Sequence, residues 1–305
     1  MKLFLELLLY YLIFPGFIFA SVVGLLTVWL DRKVSARVQW RQGPPWYQGF
    51  ADIGKLLYKE VIIPEEAFGS GFIAAPLFGL ASVTLAVTIL SVSFFNMSEG
   101  FIGDIIVVWY LFAIPAIALI YVGSTSGNPL SSVGVSREIK MLLSYDLPMI
   151  IVIVMIASKA GSFSIRAIID WQRVNGSNIS SLYGIVAFIV AIFCTQAKLG
   201  RVPFDLPEAE TELGSGILME LSGVVLAAYE LSKAIMLFGL PLFLIVLFWG
   251  KGIIGALLMY VLIVVILILI KNTNPRVRID HAMKYFWGWM SGAAILAGVL
   301  AHFGV

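Results

Sequence analysis

Eight apolar runs, at residues 3–30, 69–95, 104–122, 141–158, 181–197, 214–238, 253–271 and 283–303, fill most of the chain and limit what it can become. Crossing the roughly 30 Å hydrocarbon core of a bilayer takes about 20 helical residues. In lipid the backbone must satisfy its own hydrogen bonds, so such runs become helices. The expected fold is therefore all-α: a polytopic integral membrane protein with about eight transmembrane helices, forming a single membrane domain over residues 1–305. With 60% hydrophobic and 12% charged residues, a soluble domain on one anchor is excluded. The first run is too long for a cleavable signal, whose apolar stretch covers roughly 7–15 residues, and reads as a retained span. Residues 239–250 are too short to cross alone and read as a kinked extension of the sixth span or a surface hairpin.

Charge sets the orientation. With both termini outside, the inner loops hold Arg32, Lys33, Arg37, Arg41, Lys55, Lys59, Arg137, Lys140, Lys198, Arg201, Lys271, Arg276, Arg278 and Lys284. The outer side holds only Lys2, Lys159, Arg166, Arg173 and Lys251, so the positive-inside rule favours this arrangement in a cell (inner, cytoplasmic) membrane. Trp29, Trp109, Tyr110, Trp249, Trp287 and Trp289 fall near span ends, where interfacial aromatics sit. On the inner side, residues 51–63 place Ile53, Leu56, Leu57 and Val61 at helical spacing, which predicts an amphipathic helix in the interface plane. Gly43, Pro44 and Pro45 force a turn before it.

One cysteine, Cys194, and two histidines, His281 and His302, cannot build an iron–sulfur cluster, a haem pair or a nickel site. No cofactor is expected on this chain. The net charge of +2, with the basic residues in short loops, does not point to nucleic acid.

Against this background the carboxylates stand out. Asp205, Glu208, Glu210, Glu212 and Glu220 lie between two apolar runs, where an ionisable group costs roughly 2.5–3.5 kcal/mol on insertion scales. Read as a continuous helix, Glu208 and Glu212 are one turn apart, and Glu220 follows about 12 Å beyond Glu212. Such a ladder passes protons where water bridges its steps. The alternative is a loop whose acids pair with Arg201 and Lys198. Glu138 and Asp146 open the fourth span, with Glu138 equally suited to an ion pair. Glu230 and Lys233, three residues apart in the sixth span, can neutralise each other or act as a switchable pair. Arg37 and Arg41 share a helix face after Arg32, and Arg276, Arg278 and Asp280 lie in a later inner loop. Anchoring to lipid phosphates and docking of a protein partner both fit these two basic segments.

These motifs together resemble the H subunit of bacterial complex I, called subunit 1 in mitochondria, and its counterparts in membrane-bound nickel–iron hydrogenases. The resemblance rests on Asp31-Arg32-Lys33, the segment Lys55 to Glu60, Ser144-Tyr145-Asp146, the Pro203 to Glu208 segment and Pro275 to Met283. It implies a subunit joining a redox arm to an ion-pumping arm. Asp205, Glu208, Glu210, Glu212, Glu220, Glu230, Lys233, Asp146 and Glu138 would then lie on the proton path. Arg32, Arg37, Arg41, Asp52, Lys55, Lys59, Arg276, Arg278 and Asp280 would dock the redox arm. Partners implied are hydrogenase-like large and small subunits carrying iron–sulfur clusters and a nickel–iron centre, together with antiporter-like and small membrane subunits, and lipid. Two departures point toward the hydrogenase branch of the family. Only six residues, 45–50, separate Pro44 from Ala51, where complex I has a longer loop that helps build its quinone access. Lys233 falls where that enzyme tends to carry an acid. A quinone-binding complex I subunit is the alternative; a stand-alone transporter is less favoured, because no internal repeat is visible.

Overall fold

The computed structural model describes residues 8–303, apart from 66, 68, 98, 99, 210, 211, 213 and 251. Glu210, Lys2 and Lys251 therefore lie outside the described residues. All regular structure among those residues is helical. In chain order the α-helices are α1 (Phe17–Val38), α2 (Gln48–Leu57), α3 (Gly69–Phe94), α4 (Asp104–Leu111), α5 (Ile114–Thr125), α6 (Pro129–Ala160), α7 (Ile165–Asn175), α8 (Leu182–Lys198), α9 (Gly223–Phe248), α10 (Ile253–Thr273), α11 (Ile279–Lys284) and α12 (Ser291–Phe303). A single π-helical stretch, Tyr285–Met290, joins α11 to α12. Among the described residues, seven spans are long and apolar enough to cross a bilayer, with α4–α5 and α11–α12 each counting as one. The eighth expected span, α8, has 17 residues, the lower end of what suffices.

The central element is α9. Nearly all of it is buried, including the whole stretch from Ala234 to Phe248, against α1, α3 and the ends of α7 and α8. Residues 239–248 thus continue the sixth span through Pro241 rather than forming a hairpin. At its C-terminal end Gln172 of α7 donates to the carbonyls of Val246 and Leu247, and Asn178 donates to Leu247, so the unpaired carbonyls of the last turn find partners. Close approach to α1 depends on Gly24: a Cβ there would lie 2.5 Å from the Ala234 carbonyl oxygen.

Several boundaries differ from the sequence expectation, each for a local reason. α6 begins at Pro129, a dozen residues before 141, because Asn128 caps its start by accepting from Leu130 N–H at 2.9 Å, and proline suits the first turn. Arg137 and Glu138 consequently sit on a helix. α1 runs on to Val38, carrying Arg32, Lys33 and Arg37 with it. The amphipathic helix α2 starts at Gln48 and stops at Leu57, short of residue 63, and packs on α1 and α9. Trp109 is not interfacial: it is 1% exposed and stacks on Phe243 inside the bundle.

Candidate functional site

The expected acidic ladder does not form a helix. Gly200, Ser215, Gly214 and Gly216 take positive φ, which breaks any continuous helix between α8 and α9. The described residues between 199 and 222 instead fold back into the bundle, with a 3-10 turn at Gly216–Glu220. Residues 203–207 are buried. Irregular backbone at this depth needs partners from surrounding protein, and it has them. Gln196 donates to the Val202 carbonyl at 2.6 Å, the Val277 N–H to Pro203 at 3.1 Å, and Arg137 to Leu206 at 3.3 Å. Phe204 fills the space beneath, against Tyr285 and Phe286.

The loop's described acids bind partners in different parts of the bundle rather than one another. Asp205 receives Nε and Nη2 of Arg276, at 2.9 and 2.8 Å, in a two-pronged contact. It pairs with neither Arg201 nor Lys198. Arg276 is thereby turned inward, while Arg278 and Asp280 stay exposed, 4.0 Å apart. Exposed Glu212 binds Arg137 of α6 at 2.6 Å. Glu220 accepts from Asn128 Nδ2 at 2.7 Å and lies before α9, not within a span. Arg201 turns the other way, to buried Asp31, which also holds Lys271 at 3.0 Å. These two cations on one carboxylate tie the loop to α1 and α10.

Glu208 is the loop acid that reaches α9. Its carboxylate receives Lys233 Nζ at 2.5 Å and Tyr229 Oη at 2.6 Å, both from α9. The expected Glu230–Lys233 pair is not made, because at the start of α9 the loop brings Glu208 closer to the ammonium than the neighbouring turn brings Glu230. Glu208, Tyr229 and Lys233 line a cavity of about 30 Å³ together with Glu138 and Lys198. A polar cavity holds a water once it offers roughly 10–15 Å³, so there is space for one or two. Glu138 has no hydrogen bond or ion pair among the described residues and faces this space.

Beyond the cavity lies a second buried pair that sequence reasoning missed. Lys198, assigned to the inner loops, is the last residue of α8, and its side chain is 1% exposed. Its ammonium is 3.5 Å from Asp146 and 3.7 Å above the Trp109 ring, while Trp109 Nε1 donates to the same carboxylate at 3.0 Å. The signal was helical spacing: Ala187, Ala191 and Cys194 share a fully buried face, and Lys198 continues it. Cation-bearing side chains thus alternate with acids along Glu208, Lys233, Glu138, Lys198 and Asp146.

At the surface, Arg32 binds Asp52 at 2.8 Å and links α1 to α2. Burial alone would raise the Asp52 carboxyl, but hydrogen bonds from Arg32 and Gln48, with the charges of Arg32 and Lys55, outweigh it and hold the group below its ordinary value. Arg37, Arg41 and Lys33 surround a surface hollow beside fully exposed Trp40. Lys55 and Lys59 are exposed at the end of α2.

This polytopic helical bundle is that of a membrane subunit of a complex I-like respiratory complex. The sequence matches the NADH dehydrogenase family over residues 11–302, and the chain belongs to that family. It is 32% identical over 303 residues to the H subunit of the NADH-quinone oxidoreductase of Brevibacillus brevis, covering 92% of this chain and 88% of that one. A subunit of the archaeal membrane-bound sulfane sulfur reductase, a respiratory membrane complex, superposes with a TM-score of 0.87 at 27% identity, covering 99% of this chain and 100% of that one.

Proposed function

We propose that this chain couples redox turnover in a peripheral arm to ion movement across the membrane, within a hydrogenase-like, ferredoxin-oxidising respiratory complex. It performs no redox chemistry alone; the electron carriers, iron–sulfur and nickel–iron-like, belong to partner subunits docked on the inner face. Antiporter-like subunits in the membrane receive the coupled charge. Both termini lie on the outer side, as the loop charges favour.

The observation that carries this reading is the cavity where Glu138, without a partner, faces the Glu208–Lys233 pair and Lys198. A proton arriving at Glu208 weakens its hold on Lys233, and the freed ammonium is attracted to Glu138. The same exchange repeats between Lys198 and Asp146. In this proposal Asp205, Glu212 and Glu220 set the potential at the mouth of the path, and Glu230 flanks it. The short connection between Pro44 and α2 supports the hydrogenase-like branch. A quinone-reducing complex is the second reading, favoured by the 32% identity to a quinone oxidoreductase subunit.

The test is Glu208→Gln and Glu138→Gln in the reconstituted complex, with electron transfer and ion gradient measured together. Electron transfer with the gradient lost supports coupling through this cavity. An unchanged ratio of ions moved to electrons transferred would remove it from the mechanism.

A further inference from the structure

A hollow of about 550 Å³ opens at the inner end of the bundle, between α8 and the last span, and the charge path makes no use of it. Its walls divide by chemistry. One side is polar: His281 and Lys284 are exposed on α11, and neither makes a hydrogen bond or ion pair among the described residues. The other side is aromatic: Phe193 meets the Tyr285 ring edge-on at 5.7 Å, and Trp289 stands 79% exposed at the rim. The π-helical turn Tyr285–Met290 makes this shape possible. An extra residue in the turn swings Trp287 and Trp289 outward while Phe286 remains buried.

Below the hollow, Ile185, Ile189 and Phe193 follow one another at four-residue intervals along α8. Ile185 and Ile189 are 45% and 49% exposed, so the stripe faces outward and leads into the hollow over about 12 Å. Two cationic or N–H donors at the head and an apolar track at the tail form a site polar at one end only. We infer that this hollow seats one anionic phospholipid, with its phosphate on Lys284 and His281 and one hydrocarbon chain along Ile185, Ile189 and Phe193. Charge complementarity selects the occupant. An unpaired ammonium beside an imidazole N–H suits phosphate, whereas an apolar protein helix would leave both without a partner.

The experiment uses the intact complex in nanodiscs doped with an anionic phospholipid that carries a photoreactive group on its chain, followed by peptide mapping. Label on 185–193 and 285–289 is expected, falling at least about fivefold in H281E/K284E, since one lysine near a surface contributes roughly a factor of five in attraction to anionic lipid. A second variant, I189W, keeps the charges and fills the track, and should also lose label. Assembly of each variant is checked by subunit composition. Equal labelling by a diacylglycerol lacking phosphate, or label indifferent to H281E/K284E, would reduce the groove to bulk lipid contact and overturn the proposal. So would displacement by millimolar glycerol phosphate, which marks a free-anion site, or transfer of the label from this groove to a neighbouring subunit, which marks a protein interface.

Discussion

Replacing Lys198 by methionine removes a cation whose side chain is 1% exposed and leaves Asp146 with only the Trp109 N–H. At 3.5 Å and an effective dielectric of about 20, the lost attraction is about 5 kcal/mol before desolvation is counted. Breaking a buried pair by deleting one partner typically costs about 3–5 kcal/mol, because the remaining charge is stranded. The cost should therefore vanish when the second charge is removed as well. In Lys198→Met/Asp146→Asn the amide oxygen still accepts from Trp109, and the double variant should lie within about 1 kcal/mol of the parent. Denaturant unfolding of the complex in nanodiscs gives the four corners of the cycle, and ion pumping is recorded on the same samples. Under the proposed function, stability should recover in the double variant while pumping does not, which separates scaffold from charge transfer. If the double variant is as unstable as the two single ones added together, Lys198 and Asp146 do not act as a pair, and the reasoning fails.

Three other outcomes follow from the geometry. The Asp52 carboxyl is depressed in the fold, so its contribution is present above the unfolded value of about 4 and is lost as pH falls through the lower folded value; hydrogen exchange should show α2 loosening only in that acid window, and Asp52→Asn should abolish the pH dependence. Gly24→Leu forces a side chain onto the Ala234 carbonyl and should cost at least the roughly 1–3 kcal/mol typical of overpacking, seen as a lower unfolding midpoint, whereas Gly54→Ala, with open space around it, should leave the midpoint unchanged or raised. Arg276→Lys loses the two-pronged contact with Asp205 and should be nearly as harmful to loop protection against proteolysis as Arg276→Met; full protection in the lysine variant would show that charge alone suffices.

The spans were legible because hydropathy reports the lipid-facing requirement, which holds for α3 or α10 whatever they pack against. The candidate acids were legible for the same reason, since carboxylates between apolar runs are costly. Their arrangement was not. Helical spacing joined Glu208, Glu212 and Glu220 into a ladder, but the positive-φ residues Gly214, Ser215 and Gly216 break it, and a serine in that conformation carries no local signature. Lys198 was hidden by a rule that is right on average: a lysine at a span end is expected to face the inner surface, and only the small residues on its helix face show otherwise. The pairing of Asp205 with Arg276 spans 71 residues and lies beyond any local pattern.

The tethers of the re-entrant loop also set the order in which the protein can be made. Arg201 binds Asp31, which is synthesised early, but Asp205 needs Arg276, and Pro203 needs the N–H of Val277. The segment therefore emerges from the ribosome well before its last ligands exist. It reaches its final position only after α10 has been threaded, so a nascent chain stopped at the end of α9 should expose this loop to modifying reagents that the finished protein excludes.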